Sequence, residues 1–216
     1  MRYNQRRMSD KAISMSTTDT LMQLIRTRRS IRQFEPRPVP HPLIERLVEA
    51  ACWAPSAHNR QPWRFVVLDE EGRKRQLAEA MGARLTDDLR ADGLEEVQIA
   101  RDVARSRRRL TGAPVLLLVC LSMQDMDRYP DPVRQQYERL MAAQSVAMAA
   151  QNLLLVAHAE GLGACWLCAP LFCPDVVRET LNLPEAFEPQ GVIALGYPAE
   201  QRTKTRKPLE TRLIFA

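Results

Sequence analysis

The sequence lacks the short glycine motifs that identify most nucleotide-binding and acyl-transfer enzymes. None of its eight glycines lies in a G-x-x-x-x-G-K-[ST] phosphate loop, a G-x-G-x-x-G turn or a G-x-S-x-G nucleophile elbow. Hydrolase, kinase-like and dinucleotide-fold interpretations therefore have no support. A phosphate group, if one is bound, must be held by side chains and by isolated backbone N–H groups.

Long apolar runs are also scarce. The longest stretches, residues 115–121 and 153–157, are far shorter than the roughly 20 residues that cross a bilayer. Residues 1–8 are polar and basic, and no apolar segment of the kind found in a secretory signal follows them. We therefore expect a cytoplasmic protein with no membrane partner, beginning with a flexible N-terminal tail over residues 1–17.

Aromatic residues make up only 6% of the chain, whereas 31 Lys and Arg against 26 Asp and Glu give a net charge of +5. Such an excess can serve nucleic acid, an anionic cofactor or an acidic substrate. No aromatic-basic platform or nucleic-acid motif accompanies the charge, and most arginines lie among acidic residues. The composition favours a solvated surface with a local anion site, and no nucleic-acid partner.

Five cysteines, an odd number, argue against a disulfide framework. Cys165 and Cys168 form a C-x-x-C, which suits a redox pair or half of a zinc site. Zinc needs about four ligands, and the three histidines offer no close pair. A redox pair usually opens a helix, whereas residues 164–168 have the composition of a strand. We expect no metal site and small, buried, unreactive cysteines, although the roles of the Cys165, Cys168 and Cys173 thiols stay open.

Hydrophobic periodicity predicts one α+β domain over residues 18–216. Its first helix begins near Asp19 as N-cap, with Leu21, Leu24 and Ile25 as a buried stripe. The other predicted helices span residues from about 42 to before 55, 72–82, about 95–110, 133–160 and 174–181. The predicted strands span residues 63–68, 115–121, 163–168 and 191–197.

Two of these elements are the most informative. The continuous apolar run 115–121 is typical of a central strand buried on both faces. Helix 133–160 is apolar nearly all round, which places it in a core or in a seam between subunits. Gly161 ends that helix.

Two basic segments lie near opposite ends of the chain. Arg28, Arg29 and Arg32 lie within five residues, with Ser30 between them, and guanidinium groups suit phosphate and the carbonyl-rich edge of a heterocycle. Residues 204–207 repeat the basic pattern near the other terminus. Each segment by itself is more often solvated charge than a binding site.

In combination, these segments resemble the nitroreductase family of flavoproteins. The motif Arg-Arg-Ser-x-Arg-x-Phe from Arg28 precedes Ala-Pro-Ser-x-x-Asn-x-Gln-Pro-Trp from Ala54. Gly-Leu-Gly-Ala-Cys-Trp from Gly161, Gly-Tyr-Pro from Gly196 and Lys-Thr-Arg-Lys-Pro-Leu from Lys204 follow in order. The resemblance extends over most of the chain and rests on the set of motifs, since no single motif carries it.

The resemblance implies a nitroreductase-like α+β fold, with a central mixed sheet surrounded by helices, in an intertwined homodimer with FMN at the interface. It implies that one chain holds the FMN phosphate, ribityl chain and pyrimidine edge through Arg28, Arg29, Ser30, Arg32, Lys204 and Arg206. It implies that the partner subunit lines the cofactor with Pro55, Ser56, Ala57 and Asn59. The backbone of Leu167, Cys168 and Ala169 would face the isoalloxazine, with an N–H near Cys168 directed at its hydride-accepting nitrogen.

The activity that the resemblance implies is that of an FMN-dependent oxidoreductase without a catalytic acid or base of its own. NADH or NADPH would reduce the flavin, and the flavin would reduce a small electron-poor acceptor such as a nitro compound or a quinone by ping-pong hydride transfer. Phrases such as Glu-Gly-Leu-Gly-Ala-Cys-Trp from Glu160 are similar to the branch that acts in deazaflavin-cofactor biosynthesis. A dedicated reductase of a deazaflavin precursor and a flavin-binding protein without turnover are the alternatives. The sequence identifies neither the acceptor nor the choice between NADH and NADPH.

Overall fold

The computed structural model describes residues 16–215, so nearly all of the predicted flexible tail, residues 1–17, lies outside the described residues. The described chain forms a four-stranded sheet and six α-helices. The helices are α1 Thr17–Thr27, α2 His41–Cys52, α3 Glu71–Ala91, α4 Glu96–Thr111, α5 Pro132–Ala159 and α6 Pro174–Leu181. The strands are β1 Trp63–Leu68, β2 Val115–Leu121, β3 Gly163–Leu167 and β4 Glu188–Gly196.

The sheet has the order β1-β2-β4-β3, and all neighbouring strands pair antiparallel. The prediction of a mixed sheet is therefore corrected, because the four strands form an antiparallel sheet. Within residues 16–215, parallel pairing is limited to an isolated bridge between Ser30 and Ala164. The reason is topological. The helical pair α3–α4 returns the chain so that β2 runs opposite to β1, and β4 inserts between β2 and β3, which run in the same direction.

Strand β2 is the centre of the core, as predicted, because all seven of its residues are buried. Its alternate side chains enter two different apolar clusters. Leu117 and Val119 pack on the face that α2 and α5 cover. Leu116 and Leu118 pack on the face that α3 and α6 cover. The continuous apolar sequence thus reflects a strand with helices on both of its faces.

Helix α5 covers one face of the sheet over 28 residues. Ala142, Val146, Ala149 and Leu153 are buried on its inner side. By length and composition α5 alone among the described helices could cross a membrane, but 44% of its apolar window is buried inside the chain, and the core helix of a soluble protein meets the same criteria. Other apolar side chains of α5 are exposed, among them Tyr137, Leu140 and Met148.

The start and the packing of α1 differ from the prediction. Ser16 is the N-cap, and its Oγ accepts the backbone N–H of Asp19, which lies in the first turn. The predicted buried stripe is wrong for this chain, since none of the residues of α1 is buried. Leu21 is 51% and Ile25 45% exposed. The helix meets α5 near Thr27, and its apolar side has no partner within the described part of the chain, residues 16–215.

Helix α3 is longer than the sequence pattern indicated. It continues to Ala91 and turns at Gly93, which has a φ of +79°. The extension is polar and carries little apolar periodicity, so its stability comes in part from ion pairs such as Arg84–Asp88 at 3.1 Å. Strand β4 likewise begins at Glu188, three residues before the predicted start at Gly191.

Gly191 allows β3 and β4 to pack closely, because a Cβ at this position would lie 2.3 Å from the ring of Trp166. We expect Gly191→Ala to lower the free energy of unfolding by about 1–3 kcal/mol, the usual cost of overpacking. Urea unfolding followed by tryptophan fluorescence measures it. In the control Gly72→Ala, nothing lies within 4 Å of the new Cβ in α3, so stability should be unchanged or slightly higher. Equal effects of the two substitutions would contradict the prediction.

Candidate functional site

Basic side chains from both ends of the chain converge on one pocket of about 220 Å³. It is lined by Arg28, Arg29, Ser30, Arg32, Arg202, Lys204 and Arg206. We call it the basic pocket. Among residues 16–215, its lining contains six cationic side chains and no carboxylate. Like charges at such short range repel one another, so the pocket favours an anion.

Backbone contacts bring the two distant segments together. Phe34 forms an isolated antiparallel bridge with Pro198, shortly before the C-terminal basic run. The guanidinium of Arg29 donates from Nη2 to the carbonyl oxygen of Lys204 at 3.2 Å. The two basic segments are therefore neighbours in the structure, which the linear sequence alone does not show.

Arg202 belongs to this pocket and was missed in the sequence. Residues 200–208 form no helix or strand. In an extended chain, alternate side chains share a face. The spacing Arg202-x-Lys204-x-Arg206 fits that rule, whereas Lys207 is not among the lining residues. The i, i+2 alternation was thus the signal that could have identified Arg202.

Glu200 stands beside the basic pocket and orders two of its components. Its Oε1 accepts the backbone N–H of Arg32 at 2.6 Å, and its Oε2 lies 2.8 Å from Nε of Arg202. Burial acts to raise the pKa of Glu200, but the Arg32 N–H and Arg202 outweigh it and the pKa is lowered. Glu200 therefore stays ionised and holds Arg202 in place.

The arginines of the pocket are not fully satisfied by the protein. Burial, then Arg206 and Arg29, lower the pKa of Arg28. Nε of Arg29 and Nε of Arg32 are buried and have no hydrogen-bond partner among the described residues. A buried donor without an acceptor is costly, and guanidinium groups form strong charge-assisted hydrogen bonds with phosphate and carboxylate oxygens. The pocket therefore fits a phosphate-bearing ligand.

Strand β3 connects the basic pocket to the predicted flavin-facing backbone. Ser30 pairs with Ala164 at the start of β3, and the strand ends at Leu167. Cys168 and Ala169 follow in a turn that opens a short 3-10 helix. Three residues of strand span about 10 Å. Leu167, Cys168 and Ala169 are thus close to the pocket but do not line it.

The cysteines are not all buried. Cys165 is buried within β3, whereas Cys168 and Cys52 are exposed, so the expectation of buried thiols is wrong for those two. Cys168 is exposed because β3 ends before it, and its Sγ accepts the indole N–H of Trp166 at 3.0 Å. Burial raises the pKa of Cys173 to about 11, so that thiol stays protonated near neutral pH. Among residues 16–215, no cluster of three His, Cys, Asp or Glu side chains could hold a metal.

The loop that the resemblance assigned to the partner subunit lies apart from the basic pocket. None of Pro55, Ser56, Ala57 and Asn59 lines it. The surrounding residues 56–61, which we call the strained loop, contain three non-glycine residues with left-handed backbone. These are His58 (φ 49°), Asn59 (φ 55°) and Gln61 (φ 50°). Such conformations are unfavourable and cluster at functional sites.

The profile of the Nitroreductase family matches residues 25–197, well over half of the chain. This chain belongs to the nitroreductase family. The NADH dehydrogenase of Thermus thermophilus is 32% identical to it, over 87% of this chain and 92% of that protein. A Methanothermobacter thermautotrophicus protein, provisionally named NADH dehydrogenase/NAD(P)H nitroreductase, is 32% identical over 83% of this chain and 78% of that protein.

Solved structures agree with this assignment. A provisionally named nitroreductase from Desulfovibrio desulfuricans in complex with FMN is 28% identical, with a TM-score of 0.69 over 91% of this chain and 96% of that chain. A BluB-like flavoprotein from Clostridium difficile shares the fold, with a TM-score of 0.76 at 24% identity over 91% of this chain and 98% of that chain. The predicted family and its α+β fold are thereby confirmed.

His158 at the end of α5 reports on the charge of the basic pocket. Burial first, then Arg28 and Arg29, lower its pKa. The unfolded chain therefore holds this proton more tightly than the native state. The stability linked to His158 is complete above the unfolded pKa of about 6.5 and is lost as the pH falls through that value. His158→Gln, which keeps a polar partner for Thr27, should reduce this loss when urea unfolding is compared at about pH 5.5 and 7.

A bound anion should act on the same residue. Inorganic phosphate in the basic pocket would offset the charges of Arg28 and Arg29, so the pKa of His158 should rise. NMR titration of the imidazole protons, with and without phosphate, measures that shift. A pKa that phosphate leaves unchanged would count against anion binding in this pocket, and chloride at equal ionic strength is the control.

Proposed function

We propose that this nitroreductase-family protein is an FMN-dependent oxidoreductase that oxidises NADH or NADPH and reduces a small electron-poor acceptor in two half-reactions. Membership of the family supports the oxidoreductase class. FMN is present in a relative's structure, and the named relatives are NADH dehydrogenases or NAD(P)H nitroreductases. Nitro compounds and quinones are the acceptor classes that we propose.

The observation that carries the proposal is the basic pocket, in which two buried guanidinium nitrogens have no hydrogen-bond partner among the described residues. In the part of the chain that the structure describes, six cations and no carboxylate line a volume of about 220 Å³, which suits a dianionic phosphate. In the proposed site Arg28, Arg29, Lys204 and Arg206 bind the phosphate. Ser30 pairs with Ala164 of β3, and in the proposed site Ser30 and Arg32 contact the ribityl chain and the pyrimidine edge.

FMN, when bound, would supply the hydride chemistry itself. The task of this chain is then to bind, orient and polarise the cofactor. Leu167, Cys168 and Ala169 lie at the end of β3, about 10 Å along the strand from the contact with Ser30. We propose that their backbone faces the ring system and that an N–H near Cys168 donates to the reacting nitrogen. An exposed Phe172 close by would line the acceptor side.

Geometry supports the proposal that Pro55, Ser56, Ala57 and Asn59 act on the cofactor of a partner subunit. The basic pocket adjoins Ala164, at the end of the sheet where β2 begins. The strained loop leads into Trp63, which pairs with Leu121, where β2 ends. Six residues of strand separate these ends by roughly 20 Å. The basic pocket and the strained loop of one chain are therefore suited to contact two different cofactors in a homodimer.

Exposed apolar surface favours the same homodimer. Leu21, Met22 and Ile25 on α1 and Ile214 and Phe215 near the C-terminus are exposed in the single chain. Isolated exposed residues need no explanation, but groups of them on one helix face and one terminal segment mark interaction surfaces. A second copy of the chain is the partner that we propose, with FMN at the interface.

The function is tested by reconstituting purified protein with FMN and measuring oxidation of NADH and NADPH with a panel of acceptors. We expect a yellow protein, turnover that requires both FMN and an acceptor, and parallel double-reciprocal plots. A protein that cannot bind FMN would refute the proposal. Bound FMN without any turnover would indicate a flavin-binding protein. Reduction of a deazaflavin precursor but of no nitro compound or quinone would indicate the biosynthetic alternative.

The pocket itself is tested with Arg28→Ala and Arg206→Ala. Each substitution removes a charge-assisted contact and should weaken FMN binding by about 1.5–3 kcal/mol in a fluorescence titration. Arg75→Ala is the matched control, because Arg75 lies on α3 and pairs with the exposed Glu71 there. Its dissociation constant for FMN should equal that of the wild type. Full affinity in both pocket variants would place the phosphate elsewhere.

A further inference from the structure

The strained loop requires support from outside itself. Its internal bonds close the turn, since Asn59 N–H donates to the Ser56 carbonyl at 3.0 Å and Gln61 N–H donates to Ser56 Oγ at 3.1 Å. These bonds set the shape of the turn but not its direction relative to the rest of the molecule. Left-handed backbone at three non-glycine residues persists only where the surrounding structure imposes it.

Two external contacts hold the loop from the side of α5. Ala57 N–H donates to Ser145 Oγ on α5 at 3.2 Å. The guanidinium of Arg60 contacts the carboxylate of Asp127, with Nη2 to Oδ1 at 2.5 Å. Asp127 lies in the segment between β2 and α5, so its own position decides where Arg60 is held.

Asp127 is in turn fixed by a buried carboxylate. Its backbone N–H donates to Oε1 of Glu138 at 3.2 Å, and Glu138, on α5, is 0% exposed. The other oxygen, Oε2, is buried without a partner among the described residues. A carboxylate in a core is destabilising, and an apolar side chain of similar size would pack there at lower cost. A contribution to global stability therefore does not explain why a glutamate occupies position 138. Its hydrogen bond with the backbone of Asp127 does explain it, because that bond fixes Asp127.

The end of the loop is attached to the same segment. Arg64 on β1 contacts Asp125 with Nη2 to Oδ2 at 2.9 Å, and its Nη1 donates to the carbonyl oxygen of Gln61 at 3.2 Å. The segment that carries Asp125 and Asp127 thus holds the strained loop at two points. Displacement of that segment would release both points together.

We propose that Glu138 is a positioning residue for the cofactor site, an inference that rests on the proposed function. Glu138 fixes Asp127, Asp127 fixes Arg60, and the strained loop thereby presents Ser56 and Asn59 to the FMN of the partner subunit. Glu138 itself does not touch the cofactor.

The test compares Glu138→Leu with Glu138→Gln and Asp127→Ala. Glutamine keeps an oxygen that accepts the Asp127 N–H, so Glu138→Gln should bind FMN like the wild type. Glu138→Leu and Asp127→Ala should each raise the dissociation constant for FMN about tenfold. In the FMN-free protein the same two variants should exchange amide hydrogens of residues 56–61 about tenfold faster, with exchange in β2 unchanged. Arg75→Ala, which removes an exposed ion pair on α3, is the control for both measurements.

The outcomes separate this inference from the proposed function. Wild-type protein that binds no FMN refutes the proposed function and this inference with it. Wild-type protein that binds FMN, with unchanged affinity in Glu138→Leu and Asp127→Ala, overturns the inference alone, whether or not loop exchange accelerates. Should Glu138→Leu fail to fold, Asp127→Ala decides, because the Arg60–Asp127 pair is on the surface and contributes little to stability.

Discussion

Repulsion among the six cations of the basic pocket is the constraint on which the arrangement of this molecule depends. Positive charges around a pocket of about 220 Å³ separate unless the backbone keeps them together. The bridge from Ser30 to Ala164 and the bridge from Phe34 to Pro198 supply that restraint. The first bridge attaches the pocket to β3 and the second attaches it to the chain two residues beyond the end of β4, so the core stabilises a cluster that its own charges oppose. Nε of Arg29 and Nε of Arg32 are buried in this cluster without a hydrogen-bond partner among residues 16–215.

Prediction of element bounds from the sequence succeeded where the local apolar pattern matches the burial of the residues in the fold. Strands β1 and β2 and helix α6 have the predicted bounds, because apolar runs and flanking prolines define them without reference to distant residues. Prediction failed for the buried stripe of α1, because an apolar stripe does not show which surface covers it. The apolar residues of α1 form a stripe, yet they are exposed among residues 16–215, and in the proposed homodimer the second subunit covers them. The end of α3 was predicted too early for another reason. Its last turns are rich in charged residues that form ion pairs, so the sequence there has no hydrophobic periodicity.

Some features of the candidate site could likewise be predicted from the sequence, and others could not. The two basic segments are more than 160 residues apart, and only the family resemblance, not composition or spacing, indicated that they meet. The structure brings them together and adds Arg202 and Glu200, which the motifs do not include. The left-handed residues at His58, Asn59 and Gln61 were not predictable, because no glycine marks them. A glycine adopts left-handed backbone without strain, whereas these residues need contacts with neighbouring side chains to keep that conformation.

The roughly 20 Å between the basic pocket and the strained loop has a thermodynamic consequence. In the proposed homodimer a cofactor that touches both elements joins two subunits, so its binding free energy includes part of the free energy of association. Ligand that binds only the assembled form stabilises that form by mass action. The exposed apolar residues of α1 then need not produce a permanently stable dimer by themselves. In the proposed dimer, cofactor and subunit interface stabilise each other, and the restraint on each strained loop acts on the pocket of the other chain.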